Sequence, residues 1–227
     1  MTPAFLSGLN EPQLEAVTLP TAPLAGRAAP QSALILAGAG SGKTRVLTTR
    51  IAWLVQTGQA SPHGLLGVTF TNKAAKEMLT RISAMLPINT RGMWVGTFHG
   101  LCNRMLRTHW REAGLPQLFQ ILDIQDQLAL IKRLMKQLNI DDERYPARQA
   151  QWFINGAKDE GKRARDIEPH DEFTRHMAEF YAAYDTQCQR EGVVDFAELL
   201  LRSWEMLVRN DPLREHYRNR FKHLLVS

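Results

Sequence analysis

A glycine-rich segment that ends in a lysine and a threonine is the first place where this sequence offers chemistry. It runs Ala37-Gly38-Ala39-Gly40-Ser41-Gly42-Lys43-Thr44, with Ala37 where the P-loop pattern begins with glycine. Glycines let the backbone curl so that N–H groups point inward at phosphates. The segment therefore predicts a P-loop, and a glycine-rich turn without a ligand is the alternative.

The groups that contact a nucleotide in such a loop are its backbone and the first side chains of the following helix. We predict an ATP site formed by Ala39, Gly40, Ser41, Gly42, Lys43, Thr44 and Arg45. Lys43 and Thr44 are the predicted catalytic residues, because lysine neutralises the β- and γ-phosphates and the threonine hydroxyl ligates Mg²⁺. For Arg45, an ordinary position on the helix surface is an equal alternative. A P-loop does not by itself name the reaction, since kinases, transporters and motors share it.

The segments around the loop alternate between strand and helix. Short apolar runs bounded by turn residues predict buried strands, and apolar residues at helical spacing predict helices. Strands are predicted at 32–36, 65–70 and 93–97, and helices at 43–55 and 73–86. This alternation predicts an α/β fold, with a parallel sheet and helices on both of its faces.

The patterns change character after residue 110 and become almost entirely helical. Helix starts are predicted at Asp123, Pro146, Asp171 and Asp195, where Asp195 and Glu198 have the form of a reciprocal capping box. The last apolar residues, 223–226, have the form of another core strand. The predicted domains are therefore a P-loop core of residues 1–93 plus 218–227 and an all-helical inserted subdomain of residues 94–217.

The net charge of +5 is distributed unevenly along the chain. Residues 1–93 hold eight Lys or Arg against three Asp or Glu, while residues 94–217 hold 17 against 20. The last ten residues add three basic side chains and no acidic one. The basic balance thus lies in the P-loop segment and the C-terminal tip, which suits a polyanionic partner there. A solvated basic surface is the alternative.

The composition excludes several classes of protein. With 44% apolar and 22% charged residues, the chain is expected to fold as a globular protein. Its apolar runs are only strand-sized, so no membrane span is predicted. The two cysteines, Cys102 and Cys188, lack metal-ligand spacing, and we expect free thiols in a reducing cytoplasm.

Four further segments resemble motifs of superfamily 1 helicases. They are Leu9–Val17, Val68–Ala75, Trp94–Leu101 and Val194–Leu200. Together with the loop, they make nearly the whole chain similar to the UvrD/Rep group of that superfamily. The resemblance implies a RecA-like motor core that uses ATP and Mg²⁺ to translocate 3′ to 5′ on single-stranded DNA, in repair or replication restart. It also implies that Gln13 recognises adenine, since an amide offers both a donor and an acceptor.

Two tripeptides inside these motifs are the candidate DNA contacts. They are Phe70-Thr71-Asn72 and Thr97-Phe98-His99, each at the C-terminal end of a predicted strand. In an open parallel sheet, ligands bind at that edge. Aromatic rings stack on bases, while hydroxyl, amide and helix-terminal N–H groups bind phosphates. Core aromatics and an ordinary helix cap are the simpler interpretation of each tripeptide alone.

Other residues that draw attention have plainer interpretations. Trp53, Trp110, Trp152 and Trp204 fall on helical faces and are predicted to be core residues. Six basic residues of the helical segment offer contacts to duplex DNA, with a solvated face as the alternative because the segment is net acidic. They are Arg144, Arg148, Lys158, Lys162, Arg163 and Arg165.

The resemblance also implies what lies outside these residues. In the UvrD/Rep group, an Asp-Glu pair that holds the metal and the attacking water follows a Leu-Leu-Val strand, whereas Leu224-Leu225-Val226 is followed here by Ser227. We therefore expect a fragment that binds ATP, single-stranded DNA and strand junctions, lacks its second motor domain and does not hydrolyse ATP alone. A binding module without catalysis and another P-loop enzyme, such as a kinase, are the alternatives.

Overall fold

The computed structural model describes residues 3–21, 32–36, 38 and 40–227. These residues divide into two compact units, one containing Met1–Leu101 and Pro212–Ser227 and the other Cys102–Asp211. We call them the sheet unit and the helical unit. No helix in the described part of the chain is long and apolar enough to cross a membrane.

The helices and strands follow one another along the chain in the order α1 Glu11–Thr18, α2 Lys43–Gln56, β1 Leu65–Thr69, α3 Asn72–Met85, β2 Trp94–Thr97, α4 Phe98–Thr108, β3 Gln120–Ile121, α5 Ile124–Gln137, α6 Ala147–Asp159, α7 Glu172–Glu191, β4 Val193–Val194, α8 Phe196–Arg209, α9 Asp211–Arg220 and β5 His223–Val226. Short 3₁₀ turns lie at Ala4–Leu6, Pro62–Gly64 and Ala164–Asp166. Helices α1 and α9 were not predicted from the sequence.

Three strands of the sheet unit form a parallel sheet in the order β2-β1-β5. Residues 65–68 of β1 pair with residues 223–226 of β5, and residues 66–69 pair with β2. The backbone N–H of Ser227 extends the pairing with a 2.9 Å bond to the carbonyl of Val68. Because all three strands run the same way, their C-terminal ends meet at one edge, as the α/β prediction requires.

Helices cover both faces of this sheet, which confirms the predicted layering. Helices α2 and α3 share one apolar core with β1, β2 and β5. Gly67 of β1 permits this close packing, since an added Cβ would lie 3.2 Å from Val95 and 3.6 Å from both Ile51 and Met78. On the opposite face, the Trp94 ring packs edge-on against Tyr217 of α9 and Phe221.

The strand predicted at residues 32–36 is absent. These residues have no strand assignment, and Leu34 and Leu36 are both 84% exposed. A strand exists only through hydrogen bonds to a neighbour, and β1 already has β2 on one side and β5 on the other. The apolar run would therefore have to pair at an outer edge, which it does not do in this structure. An apolar run of strand length was not sufficient evidence for a strand.

The helical unit is organised around helices α5 to α8, near the predicted helix starts. Aspartate side chains accept backbone N–H bonds at three of the four starts: Asp123 for α5, Asp171 for α7 and Asp195 for α8. At α8, the reciprocal half of the predicted capping box is absent, because the Glu198 carboxylate pairs with Lys158, Arg163 and Arg202 instead. The unit's core contains the buried residues Ile131, Ile154, Met177, Tyr181 and Tyr184.

The prediction of an all-helical insertion was incomplete. Two short strands, β3 and β4, pair in parallel, with Gln120 opposite Val193 and Ile121 opposite Val194. Two-residue strands are too short for a periodic signal, and their pairing joins residues more than 70 positions apart. Sequence periodicity could not reveal this sheet.

The observed unit boundaries differ from those predicted at residues 93 and 217. The contacts place the boundaries after Leu101 and after Asp211. The first shift arises because β2, assigned to the insertion by the sequence, pairs with β1. The second arises because Tyr217 packs against Trp94 of that strand.

Two tryptophans predicted to lie in the core are exposed. Trp152 on α6 and Trp204 on α8 have 67% and 56% of their surface accessible. The prediction failed because a helical stripe of large apolar residues was assumed to face inward. In α8 the buried apolar residues are Ala197, Leu199, Leu201 and Met206, and Trp204 lies on another face.

A buried network of ion pairs joins the helices of the helical unit. The ammonium of Lys158 on α6 lies 2.8 Å from a carboxylate oxygen of Asp195, 2.9 Å from Glu198 and 3.2 Å from Asp185. Burial alone would lower the pKa of Lys158, but attraction to Glu198, Asp195 and Asp185 raises it above its ordinary value. The lysine therefore stays charged, and the network holds α6, α7 and α8 in a single arrangement.

The guanidinium of Arg163 extends this network toward the end of α8. It donates to both oxygens of Glu198 at 2.8 and 2.9 Å and to Glu205 at 3.0 and 2.6 Å. Arg202 adds a 2.5 Å bond to Glu198. Burial would raise the pKa of Glu198, but these cations hold it well below the ordinary value. Glu198 therefore remains ionised.

Candidate nucleotide and nucleic-acid site

The glycine-rich loop adopts backbone conformations that only glycine enters at little cost. Gly40 and Gly42 have φ angles of 77° and 88°, in the left-handed region. Gly42 directly precedes α2, so the loop turns sharply into the helix. Ala37 and Ala39 lie outside the described residues. The described part of the loop therefore has the left-handed turn and the helix start of a P-loop, whereas residues 32–36 before it do not form the expected strand.

Side chains of the loop converge on one carbonyl. The ammonium of Lys43 donates to the carbonyl oxygen of Gly38 at 2.7 Å, and the hydroxyl of Ser41 donates to the same oxygen at 2.7 Å. These bonds curl the loop back over the start of α2. They also hold the Lys43 charge beside the loop backbone, where phosphate oxygens bind in proteins of this type.

The first turn of α2 has the properties of an anion site. No side chain caps the helix, because Gly42 occupies the N-cap position. The first turn contains no acidic residue, so the positive end of the helix dipole is not neutralised there. Thr44 is partly buried in this turn and Arg45 is exposed. This combination suits the phosphates of a nucleotide, with the Thr44 hydroxyl available to a metal ion.

Gln13 connects α1 directly to the loop. Its Oε1 accepts from the backbone N–H of Asn10 at 3.2 Å, and its Nε2 donates to the carbonyl of Ser41 at 3.1 Å. The Asn10 side chain accepts from the Gln13 N–H in return, which completes a capping box. A primary amide keeps a second hydrogen and a second lone pair for a base edge. The structure therefore places Gln13 against the loop.

Two arginines of α2 bond to the chain on either side of α1 and at its end, a feature that was not predicted from the sequence. Arg45 donates to the carbonyl of Ser7 at 3.2 Å. Arg50 donates to the carbonyls of Val17 and Leu19 at 2.8 and 2.7 Å. The Asn-x-x-Gln spacing at 10–13 was the available signal for α1, whereas the arginine bonds join distant positions and leave no local pattern.

The candidate DNA residues form a second group, at the C-terminal edge of the sheet. The rings of Phe70, which follows β1, and Phe98, which follows β2, have centroids 5.7 Å apart at an angle of 56°. Phe70 is 76% exposed and Phe98 is 39% exposed. A core position is therefore wrong for both rings. They form a paired, solvent-accessible aromatic surface of the kind on which bases stack.

Threonines and polar neighbours frame this aromatic pair. The Thr71 hydroxyl accepts from the N–H of Ala74 at 3.1 Å, and the Thr97 hydroxyl accepts from the N–H of Gly100 at 3.1 Å. Each threonine therefore caps the helix that follows its strand, and its hydroxyl hydrogen can still donate. Asn72 and His99 are exposed in the first turns of α3 and α4. The edge thus combines stacking surface with helix N-termini.

Two candidate contacts to duplex DNA form ion pairs inside the helical unit. Lys158 and Arg163 belong to the ion-pair network, so neither cation is available to duplex DNA. Asp195 and Glu198, the acidic residues of the motif Val194–Leu200, face those same cations. Within the described ranges, no group of three or more His, Cys, Asp or Glu side chains could hold a metal ion.

Comparison with known proteins agrees with this geometry. Residues 12–227 match the model of the UvrD/REP helicase N-terminal domain. The chain belongs to the UvrD/REP helicase family. It is 50% identical over 224 residues to DNA helicase II of Escherichia coli, 49% identical over 228 residues to DNA helicase II of Haemophilus influenzae, and 37% identical over 226 residues to the ATP-dependent DNA helicase PcrA of Staphylococcus epidermidis.

These matches cover nearly all of this chain but a much smaller share of each relative. They include 98% or 99% of this chain but 30% of the length of each relative. The chain therefore spans about a third of the curated family members that it matches. The family resemblance inferred from the motifs is confirmed, and the P-loop fold class is confirmed with it.

Proposed function

We propose that this chain is the ATP-binding front part of a DNA helicase motor that moves 3′ to 5′ on single-stranded DNA. The observation that carries the proposal is the loop itself: Gly42 opens α2 in a left-handed conformation, and the Lys43 ammonium lies against the loop backbone. An uncapped helix start with a lysine at its first position suits phosphate binding. Membership of the UvrD/REP helicase family supports assigning the nucleotide as ATP.

The described residues fit ATP and Mg²⁺ in the proposed roles. Backbone N–H groups of residues 40–44 would bind phosphate oxygens, Lys43 would neutralise them, and Thr44 would ligate the metal ion. Gln13 would recognise adenine from its position beside Ser41, and Arg45 would support the nucleotide from the helix surface. When bound, ATP would supply the free energy of phosphoryl transfer to water, and Mg²⁺ would neutralise charge on the phosphates.

The proposed DNA contacts are the residues at the edge of the sheet. Phe70 and Phe98 would stack on bases, while Thr71, Asn72, Thr97 and His99 would contact the backbone or a base edge. The sheet unit holds twelve Lys or Arg and four Asp or Glu, a balance of +8 that attracts a polyanion. Single-stranded DNA and its junctions with duplex are therefore the proposed partners, and the cytoplasm, which suits free thiols, is the proposed location.

Calorimetry with ATP tests the nucleotide assignment. Lys43→Ala should weaken ATP binding at least about ten-fold, because charge-assisted contacts contribute about 1.5–3 kcal/mol. Lys76→Ala is the matched control, since Lys76 is also an exposed lysine in the first half of a helix of the sheet unit. Equal affinities of the original chain and the Lys43 variant would contradict the phosphate-site assignment.

A further inference from the structure

Helix α1 carries Gln13 but buries little of its own surface. Val17 is the only buried residue of its eight, all of which the structure describes. Val17 packs in a small apolar cluster with Leu6 and with Val46 of α2. A helix of this length is not stable alone in water, and apolar contacts have no preferred direction. Directional bonds to the rest of the sheet unit are therefore needed to fix the position of α1.

Arg50 of α2 supplies such bonds at the C-terminal end of α1. Its Nη1 donates to the carbonyl oxygens of Val17 at 2.8 Å and Leu19 at 2.7 Å. Carbonyls at a helix end lack partners within the helix, and the negative end of the helix dipole favours a cation there. These bonds join positions 33 and 31 residues apart. They therefore hold α1 against α2, which the local capping box of Asn10 and Gln13 cannot do.

The N-terminal end of α1 lies in close contact with the loop. Gln13 donates from Nε2 to the carbonyl of Ser41 at 3.1 Å. A Cβ added at Gly42 would lie only 3.2 Å from that Nε2. A shift of α1 by about 0.5 Å away from the loop would break the bond, because a hydrogen bond does not persist much beyond about 3.5 Å. The place of the Gln13 amide thus depends closely on the position of α1.

Helix α2 carries functional groups at two levels. Lys43 and Thr44 lie in its first turn, and Arg50 lies seven residues after Lys43, about 10 Å further along the helix axis. We propose that Arg50 is a positioning residue, which holds α1 so that the Gln13 amide selects adenine over guanine. This inference rests on the proposed function and assigns Arg50 no contact with the nucleotide. One helix would then fix both the phosphate-binding groups and the base-reading group.

Amide hydrogen exchange of the 227-residue chain, without nucleotide, tests the positioning of α1. Arg50→Met keeps an apolar side chain and removes the donors. Arg81→Met is the matched control, because Arg81 lies on helix α3 of the same unit and pairs with Glu77 in solvent. Amides of α1 should exchange at least about ten-fold faster in Arg50→Met, the loss expected for charge-assisted bonds. Amides of α3 should keep their rates, and Arg81→Met should leave α1 unchanged.

Competition binding with ATP and GTP tests the consequence for base selection. Arg50→Met should lower the ratio of ATP to GTP affinity about 2- to 12-fold, the equivalent of one neutral hydrogen bond. Affinity for inorganic tripolyphosphate should stay the same, because Lys43 and the loop are unaltered. The double variant Gln13→Ala with Arg50→Met should have the same ratio as Gln13→Ala alone, since Arg50 acts through Gln13. A merely structural role would weaken both nucleotides equally and leave the ratio as it was.

Unchanged exchange in α1 would overturn the proposal, and so would faster exchange with an unchanged affinity ratio. A ratio that falls further in the double variant than in Gln13→Ala would also overturn it, because Arg50 would then act on another group. If the unaltered chain binds ATP and GTP equally, the proposed role of Gln13 is contradicted, and the exchange rates alone decide whether Arg50 positions α1. If Arg50→Met does not fold, Arg50→Lys replaces it, with faster exchange confined to α1 as the expected result.

Discussion

At the scale of single residues, the loop shows how a few side chains combine structural and chemical roles. Gln13 caps its own helix through Oε1 and binds the loop carbonyl of Ser41 through Nε2. Lys43 is held by the carbonyl of Gly38. Both side chains bond to backbone carbonyls of the loop, which positions them beside the space proposed for the nucleotide.

The role of Gln13 leads to a prediction about base selectivity. Gln13→Ala should reduce the preference for ATP over GTP, because adenine and guanine present opposite donor and acceptor patterns to an amide. Triphosphate affinity should be partly retained. Competition binding with the two nucleotides measures the ratio.

Asn10→Ala separates this role from helix capping. That variant removes the other half of the capping box and should lower the free energy of unfolding by about 1 kcal/mol, while the ratio of ATP to GTP affinity stays unchanged. If both variants shifted the ratio equally, Gln13 would be a purely structural residue.

At the scale of elements, two sets of polar contacts connect neighbouring elements. The ion-pair network joins α8 to α6 and α7, and the capping threonines at the ends of β1 and β2 bond to the first turns of α3 and α4. The network pairs side chains from different helices, and each threonine hydroxyl accepts from a backbone N–H in the first turn of the helix that follows.

The network predicts a large and specific effect on stability. Lys158→Met should lower the free energy of unfolding by about 3–5 kcal/mol, because it leaves buried carboxylates without their shared cation. Lys162→Met is the control, since Lys162 is a lysine four residues later whose ion pair with Glu160 lies in solvent. Its effect on stability should be too small to measure. Urea denaturation compares the two, and equal midpoints would show that the network is dispensable.

The ring pair at the sheet edge predicts a loss of DNA affinity. Phe70→Ala should weaken binding of single-stranded oligonucleotides about 5- to 150-fold, the equivalent of one base stack at about 1–3 kcal/mol. Trp152→Ala provides the control, because it removes an equally accessible aromatic ring from the helical unit. Fluorescence anisotropy at fixed salt measures both. A larger loss with the Trp152 variant would locate the DNA surface elsewhere.

At the scale of the whole molecule, charge is separated between the two units. The sheet unit is strongly basic, whereas the helical unit is slightly acidic. The acidic residues of the sheet unit are Glu11, Glu15, Glu77 and Glu215. Glu77 and Glu215 pair with Arg81 and Arg218, so neither is arranged to serve a metal ion.

We predict that this chain binds single-stranded DNA without hydrolysing ATP. The 227-residue chain should bind single-stranded DNA weakly, with an affinity that falls steeply as salt rises, by about 0.7 logarithmic units per tenfold increase in salt for each phosphate contact. It should show no DNA-stimulated ATP hydrolysis, because carboxylates that position metal and water are required. A phosphate-release assay with and without DNA decides this. Stimulated turnover would mean that another carboxylate serves the metal.

Local pattern and motif in the sequence were enough to establish the P-loop, helix α2, strands β1 and β2 and the family. Each depends on residues close together in the chain: glycines before a lysine, or apolar side chains at one period. The helix starts at Asp123, Asp171 and Asp195 were predictable for the same reason, since a cap bonds N–H groups two or three residues away.

The tertiary structure alone decided which apolar runs pair as strands and which charged side chains are buried. The apolar run at 32–36 finds no partner strand, and Lys158 turns inward because Asp185, Asp195 and Glu198 arrive there from other helices. Whether a charge faces solvent or core depends on the countercharges around it, and these come from positions 27 to 40 residues away. Such pairings leave no periodic trace in the sequence, so only folding could decide that Lys158 and Glu198 lie inside.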